Sequence, residues 1–399
     1  MSKKRILVIS QYFYPESFRI NDMCTEWVKR GYDVTVLTGI PNYPQGKFYD
    51  GYSWTKKRKE KWNGVKIIRI PLIARGHHSI GLVLNYFSFV ISGWVWKMIT
   101  RVKADYVFTF EVSPMTQALI GVWYAKKHHI PHYIYVQDLW PENVETVLGI
   151  HSPIVVKPIN KMVDYIYNHS KIILATSPSF VKNIESRPGS PRKGKVVYLP
   201  QYAEEFYQPV PNAKSDRIPD DGAFKIIFTG NIGYAQGLEI LPKAAKLLSK
   251  ENVRFVIVGE GRYLDEFRND IRKNSVEDRF ILIERQPAES IPEMLCACDA
   301  AFLSFMDTSL FEMTIPAKLQ SYMACGMPII AAASGETKRI VEESGCGICS
   351  KIGNSEMLAQ AVRKMMNADI NAMSENSLKY FKSHFAKKQL MDKMDLFFK

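Results

Sequence analysis

Lys225-Ile-Ile-Phe-Thr-Gly-Asn-Ile-Gly-Tyr-Ala-Gln-Gly-Leu238 runs from an apolar, β-branched stretch through a glycine-punctuated turn into a helical pattern. Such a short apolar run fits a strand buried on both faces. Arg254–Val258, followed by Gly259-Glu-Gly-Arg262, repeats the arrangement. Further strands are predicted at 280–283, 300–305, 329–332 and 347–349, with helices between them. Upstream, strands at 6–10, 34–38, 65–70, 106–110, 132–136, 172–176 and 196–199 alternate with helices in the same way. This is α/β order: two Rossmann-like, doubly wound domains. Ligands of such sheets bind beyond the carboxyl ends of the strands, so the expected site is a cleft faced by both domains. The predicted divisions are 1–207, a Pro-rich linker at 208–222, a second domain at 223–380, and a final helix at 381–399 packing back on the first domain.

Composition narrows the function. The chain has 399 residues and a formal charge of +13. Residues 1–208 hold 28 basic and 15 acidic residues; residues 209–399 hold 25 of each. The whole excess lies on the first half. Such a surface attracts anionic lipid, phosphorylated substrates or nucleic acid. The interleaving of aromatics with a basic stripe is no better than diffuse, which argues against nucleic acid. Six cysteines are too few for a disulfide framework. Cys346/Cys349 and Cys296/Cys298 would bind zinc only if the pairs converged. The first pair reads instead as a turn entering a strand, so no metal is expected. Ser79–Trp96 carries no formal charge over 18 residues, the low edge for a membrane span. Asn85 interrupts it, and a span would split a βα domain. A buried or interfacial helix is expected, with the basic run Lys56–Lys61 beside it. No apolar leader precedes the first strand, so the expected location is cytoplasmic, on the inner face of the plasma membrane.

The loops after the strands hold the candidate chemistry. After the first strand come Glu16 and Arg19, the latter able to pair with a phosphate or to cap local carbonyls. After the second come Asn42 and Tyr43. After the strand ending at Val136 come Gln137, Asp138 and Glu142; Asp138 reads as a proton-handling or acceptor-orienting group, or equally as a helix N-cap. In the second domain, Gly230, Asn231, Gly233 and Gln236, then Gly259, Glu260 and Gly261, then Gln286, form the candidate donor site. Glycines there let backbone approach a diphosphate, which helix N-termini favour. Neither loop is GxGxxG, and no acidic residue stands where a nicotinamide ribose needs one, so an NAD enzyme is disfavoured. In Glu312-Met-Thr-Ile-Pro-Ala-Lys318, Pro316 suits a helix start. Thr314 and Ile315 are expected to offer free N–H groups. Lys318 then sits in a first turn, where a cation opposes the helix dipole unless it serves an anion.

Three sets of residues carry a family resemblance in the second domain. They are Gly230-Asn-Ile-Gly233 with Gln236-Gly237, Val256-Ile-Val-Gly259-Glu-Gly261, and Pro316-Ala-Lys318 with Tyr322-Met-Ala-Cys-Gly326-Met-Pro328. In the first domain they are Tyr14-Pro-Glu16, Pro41-Asn-Tyr-Pro44 with Gly46, and Gln137-Asp-Leu-Trp-Pro-Glu142. The chain thereby resembles glycosyltransferase family 4, of GT-B fold, in its bacterial capsule, O-antigen and colanic-acid branch. Within that branch it resembles capsule transferases that add an N-acetylated amino sugar, N-acetyl-L-fucosamine among them.

The resemblance implies retaining transfer of an N-acetylated amino sugar from a nucleotide sugar, UDP-linked, to a polyprenyl-diphosphate-linked glycan. It implies no cofactor and no obligatory metal, and the chain contains no Asp-x-Asp. It implies an anionic membrane surface as partner and leaves the oligomeric state open. The departures are specific. Asn231 and Gln236 stand where many members have Arg and Lys. Ser321 stands where the second glutamate of EX7E binds ribose, and Met313, beside Glu312, where the first falls. Gln137 replaces the usual catalytic-loop histidine. Glu16, Asp138, Glu142 and Glu312 are therefore the candidate catalytic carboxylates, unless the donor's own phosphate assists transfer. The competing readings are a nucleotide-sugar 2-epimerase of the same fold and a non-catalytic scaffold in polysaccharide assembly.

Overall fold

The structure, a computed structural model, describes residues 3–76, 78–188 and 194–398. The chain forms two compact units, Pro200–Phe397 and a unit made of the residues up to Leu199 together with Phe398. The first unit holds β1 (Arg5–Ile9), β2 (Asp33–Thr38), β3 (Lys59–Trp62), β4 (Val65–Arg69), β5 (Tyr106–Glu111), β6 (His132–Val136), β7 (Ile172–Ala175) and β8 (Val196–Tyr198). They form one sheet in the order 3-4-2-1-5-6-7-8. The second unit holds β9 (Phe224–Thr229), β10 (Val253–Val258), β11 (Phe280–Ile283), β12 (Ala300–Ser304), β13 (Ile329–Ala332) and β14 (Gly347–Ser350), in the order 11-10-9-12-13-14. All pairings are parallel except β3 with β4. In both sheets the order reverses beside the first strand of the unit, the topology that makes ligand crevices at strand ends.

The antiparallel pair adds a strand within the basic run that the periodicity did not indicate. Lys59–Trp62 is an edge strand, turned into β4 by Asn63 and Gly64 at φ +46° and +84°. An Asn-Gly pair with both φ positive is a type I′ hairpin turn. Lysines along an edge discourage pairing with another chain. Glu60 also anchors the otherwise buried Arg69 at 2.7 Å.

The division between the units also differs from the expected one. It falls at Leu199/Pro200. Residues 208–222 pack on the second unit rather than bridging freely. Val210 N–H points at the Cys296 sulfur (3.4 Å), and Asp221 pairs with Lys225 and Arg254. The helix Lys387–Asp395 also belongs to the second unit; Phe398 alone of the described C-terminal residues joins the first. Its ring packs among Trp27, Tyr106, Phe108 and Tyr133.

The apolar segment forms the helix Ser79–Ile99. Its inward stripe is Asn85, Phe89, Gly93 and Trp96, at helical spacing. Phe89 and Trp96 enter the core with Leu7, Ile9, Val107 and Ile120. A Cβ on Gly93 would lie 2.1 Å from Ile120 Cδ1, so glycine is what lets this helix approach the helix Ala118–His128. Asn85 is fully buried, accepting from Gln11 Nε2 (2.6 Å) and donating to the Ile73 carbonyl (2.6 Å). The pattern is inverted: the helix's one amide faces in, and Ile80, Phe87, Ile91 and Met98 face out, 54–75% exposed.

Candidate functional site

In the second unit, the loops after β9 and β10 lie backbone to backbone. Gly230 N–H donates to the Val258 carbonyl and Ile232 N–H to the Glu260 carbonyl, both at 2.8 Å. A Cβ on Gly259 would sit 1.8 Å from the Gly230 oxygen, and one on Gly261 2.0 Å from the Ile232 oxygen. Glycine is obligatory at both positions for a steric reason internal to the fold. Gly230 itself has φ +127°. Asn231 and Glu260 remain exposed at the loop surface, Gly233 and Gln286 partly so.

Lys318 lies in the first turn of the helix Ala317–Ala324, whose N-cap is Pro316. Its ammonium sits 3.9 Å above the Phe228 ring centroid and donates to Gln236 Oε1. Its Cε fills the space a Cβ on Gly230 would need. No carboxylate among the described residues pairs with it. Burial pushes its pKa down to about 7, because little in this pocket replaces the water a cation loses. Gln236, which stands where the resemblance predicts a second cation, instead orients the first. Tyr322, on the same helix, accepts from Thr229 N–H at 2.9 Å and ties it to the end of β9.

Two expectations for this segment change. Thr314 N–H donates to the Phe311 carbonyl at 3.2 Å, closing the short helix Ser309–Glu312, so it is not a free donor. Ile315 is buried. Ser321 Oγ bonds back to the Ala317 carbonyl at 3.2 Å and would have to rotate to meet a ribose. Glu312 is exposed, and its backbone packs where a Cβ on Gly335 would lie 1.9 Å from its oxygen.

In the first unit, Glu16 is a clasp. One carboxylate oxygen accepts from Asn42 N–H (2.8 Å) and Tyr43 N–H (2.6 Å), and the other from Phe13 N–H (3.3 Å). It joins the loops after β1 and β2. Burial raises its pKa to about 7 against those three bonds. Arg19 opens the helix Arg19–Lys29. Asn42 is buried and Tyr43 exposed.

Asp138 is not a helix N-cap. The next helix begins at Glu142 after Pro141, and Asp138 accepts from Ser113 N–H at 2.7 Å. Glu142 accepts from Asn183 Nδ2 at 3.0 Å. Beside Asp138 stands Glu111, the last residue of β5, which the sequence reading missed. It is fully buried, and neither carboxyl oxygen has a partner among the described residues. Burial raises its pKa well above the usual range, and the Asp138 charge adds to that. The available signal was a carboxylate closing an apolar strand one register step from Gln137-Asp138.

Burial thus favours the protonated form of Glu111. Its folded pKa lies above its unfolded value, so stability falls as pH rises from about 4.5 toward the folded value. Glu111→Gln is expected to flatten that fall. Thermal unfolding of both proteins across pH 4.5–8 checks it; parallel curves would contradict it.

All six cysteines are free thiols, and no metal-ligating cluster of three occurs among the described residues.

Residues 17–200 match the model of the glycosyl transferase 4-like domain, and residues 211–382 that of glycosyl transferases group 1. The chain is 25% identical to a putative colanic acid biosynthesis glycosyl transferase, WcaI of Escherichia coli K12, over 91% of this chain and 92% of that one. It is 24% identical to the probable glycosyltransferase WbjE of Pseudomonas aeruginosa; that match covers 60% of this chain and only 61% of WbjE. Among solved structures, sucrose-phosphate synthase of Thermosynechococcus elongatus superposes with TM-score 0.78 at 15% identity, covering 99% and 98% of the two chains. Anabaena HepE, solved with UDP, superposes at 0.70 with 15% identity over 100% and 99%. WaaG, a glycosyltransferase involved in lipopolysaccharide biosynthesis, superposes at 0.68 with 14% identity over 98% of each chain.

Proposed function

We propose that this chain, a glycosyltransferase of GT-B fold, moves an N-acetylated amino sugar from a UDP-sugar to a polyprenyl-diphosphate-linked glycan. The work it does is surface-polysaccharide assembly at the inner face of the plasma membrane. The likeness to WcaI and WbjE supports the process, and the UDP bound by HepE supports the nucleotide. N-acetyl-L-fucosamine is the donor sugar we favour, with retention of configuration.

The observation that carries the reading is Lys318. It is a half-buried cation without a carboxylate, framed by Gly230 at the end of β9 and by Gln236. A diphosphate is the anion such a setting suits. The leaving UDP would be stabilised by this ammonium and by backbone dipoles, with no resident cofactor or metal. Transfer that survives a chelator and requires UDP-sugar supports this; loss of turnover on chelation would refute the metal-free part. Incubation of donor alone tests the epimerase alternative by the isomer it would release.

The membrane part rests on the helix Ser79–Ile99. Residues Ile80–Ile99 are long and apolar enough to cross a bilayer, with mean hydropathy 1.3. Yet the Asn85–Phe89–Trp96 stripe is committed to the core. Lying in the interface satisfies both faces. Lys97, Arg101 and Lys103 flank its end and favour anionic lipid. Phe87→Glu with Ile91→Glu is expected to abolish co-flotation with phosphatidylglycerol vesicles while the protein stays folded. Undiminished flotation would remove the helix from the docking role.

A further inference from the structure

The loops after β1, β2 and β4 bring a cation and two phenols, Tyr12 and Tyr43, together beside the apolar helix, whose second turn carries a third, Tyr86. Arg75 is half-buried, its guanidinium carbon 5.3 Å from the Tyr43 ring centroid. No carboxylate among the described residues pairs with it. Its charge acts on the Tyr12 and Tyr86 hydroxyls, opposing the rise that burial imposes on both. Tyr12 is 2% exposed, and its hydroxyl has no hydrogen-bond partner among the described residues. An orphaned buried hydroxyl costs stability unless a ligand completes it.

The cluster is held in place, not draped on the surface. Arg75 N–H donates to Asn42 Oδ1 at 3.0 Å. Asn42 Nδ2 donates to the Ile40 carbonyl (2.9 Å), and Asn85 Nδ2 reaches the same Asn42 oxygen (3.4 Å). Tyr43 N–H is fixed by Glu16. Tyr12 stacks on Phe18, 5.3 Å between centroids. The acidic groups near the phenols are Glu16, whose oxygens are taken by backbone N–H groups, and Asp138, bonded to Ser113 N–H. Five residues beyond Arg75 the exposed stripe begins at Ile80 and runs through Phe87, Ile91 and Met98. At 1.5 Å per residue that stripe is roughly 27 Å long.

A phosphate seat at the polar end of an apolar track is the complement of one amphiphile class. We propose that Arg75, with the hydroxyls of Tyr12, Tyr43 and Tyr86, seats the diphosphate of a prenyl-diphosphate acceptor whose chain lies along the outer face of the helix Ser79–Ile99. This rests on the lipid-linked acceptor proposed above. It adds which residues read the lipid's head.

The test uses the full chain and three vesicle types: phosphatidylcholine alone, phosphatidylcholine with undecaprenyl diphosphate, and phosphatidylcholine with phosphatidylglycerol. The wild type should gain affinity from the diphosphate lipid beyond that from phosphatidylglycerol, and inorganic pyrophosphate should compete for the gain. Arg75→Gln should lose about tenfold or more of it, as one charge-assisted pair predicts. Tyr12→Phe should lose several-fold of it (on the order of one neutral hydrogen bond) with an unchanged or higher melting temperature. Lys246→Gln, an exposed change on the second unit, should lose nothing. Retention of the full gain by both Arg75→Gln and Tyr12→Phe would overturn the seat. If those variants also kept the wild-type KM for a prenyl-diphosphate-linked glycan, the seat would fail while the transferase reading stood. If the wild type retained UDP yet gained nothing from the diphosphate lipid, both the seat and the lipid-linked acceptor would fall.

Discussion

Lys318→Ala is expected to lower kcat/KM for UDP-sugar-dependent transfer by about 10²- to 10³-fold, the range for removing one preorganised group from a developing negative charge. The argument starts from desolvation. The ammonium has lost most of its water and gained only an amide oxygen and a ring face, which is why its pKa stands at about 7. A diphosphate would restore the missing charge and raise that value. Donor binding then takes up a proton in the window between about 7 and the higher bound value. Affinity should therefore fall as pH rises above 7, by up to about tenfold per unit. Lys318→Arg keeps its charge throughout and should show no such slope. Stability runs the other way. Unfolded, the lysine holds its proton up to about 10.5; folded and without donor, it gives the proton up from about 7. Lys318 thus costs the unliganded fold stability below about pH 10.5, fully so below 7. Lys318→Met should melt higher at pH 7 while losing transfer, the usual opposition between a prepared site and a stable one. Donor titrations from pH 6 to 9, with melting curves of the unliganded proteins, read both effects. A flat wild-type profile would mean that no phosphate meets this ammonium.

The two doubly wound sheets were legible in the sequence because parallel strands covered on both faces read as unbroken apolar runs. Strands such as Ile6–Ile9 and Val256–Val258 leave little choice. β3 was hidden for the opposite reason: Lys59-Glu-Lys-Trp62 is an edge strand, half solvated, with its signal in the Asn63-Gly64 turn rather than in its own residues. Lys318 and the glycine loops were visible as a local conflict, a cation at a helix start. The rest of the candidate chemistry depends on which groups already have partners, which sequence order does not state. Glu16 is a mechanistic carboxylate by position and a loop clasp by its three N–H donors. Thr314 is a free donor by position and bonded to Phe311 in fact. Glu111 and Tyr12 are the reverse case, ordinary residues in sequence whose polar atoms the fold leaves unanswered.

Gly259→Ala is expected to remove about 4 kcal/mol or more of folding free energy, a loss reserved for clashes with no room to relax. The added Cβ would come within 1.8 Å of the Gly230 carbonyl oxygen, and φ at Gly259 is +151°. Both neighbours are backbone, so no rotamer change can relieve the contact. Gly259 N–H is also bonded to the Ile283 carbonyl and Gly230 N–H to the Val258 carbonyl. Retreat of either loop would therefore break a strand-end bond between β9, β10 and β11. Whole domains are stable by about 5–15 kcal/mol, so much of the second unit's margin would go. Gly353→Ala is the matched control. Its φ is also positive, +69°, but nothing lies within 4 Å of the added carbon, so only the left-handed conformation is penalised, at about 1–2 kcal/mol. Urea unfolding of the two variants separates the mechanisms: equal midpoints would show that conformation alone, and not the opposed loops, makes glycine necessary at 259. The same opposition bears on function. The loop that must retreat carries Gly230, whose position sets that of the Lys318 side chain. Gly259→Ala should accordingly lose UDP-sugar affinity even at temperatures where it remains folded, and Gly353→Ala should not.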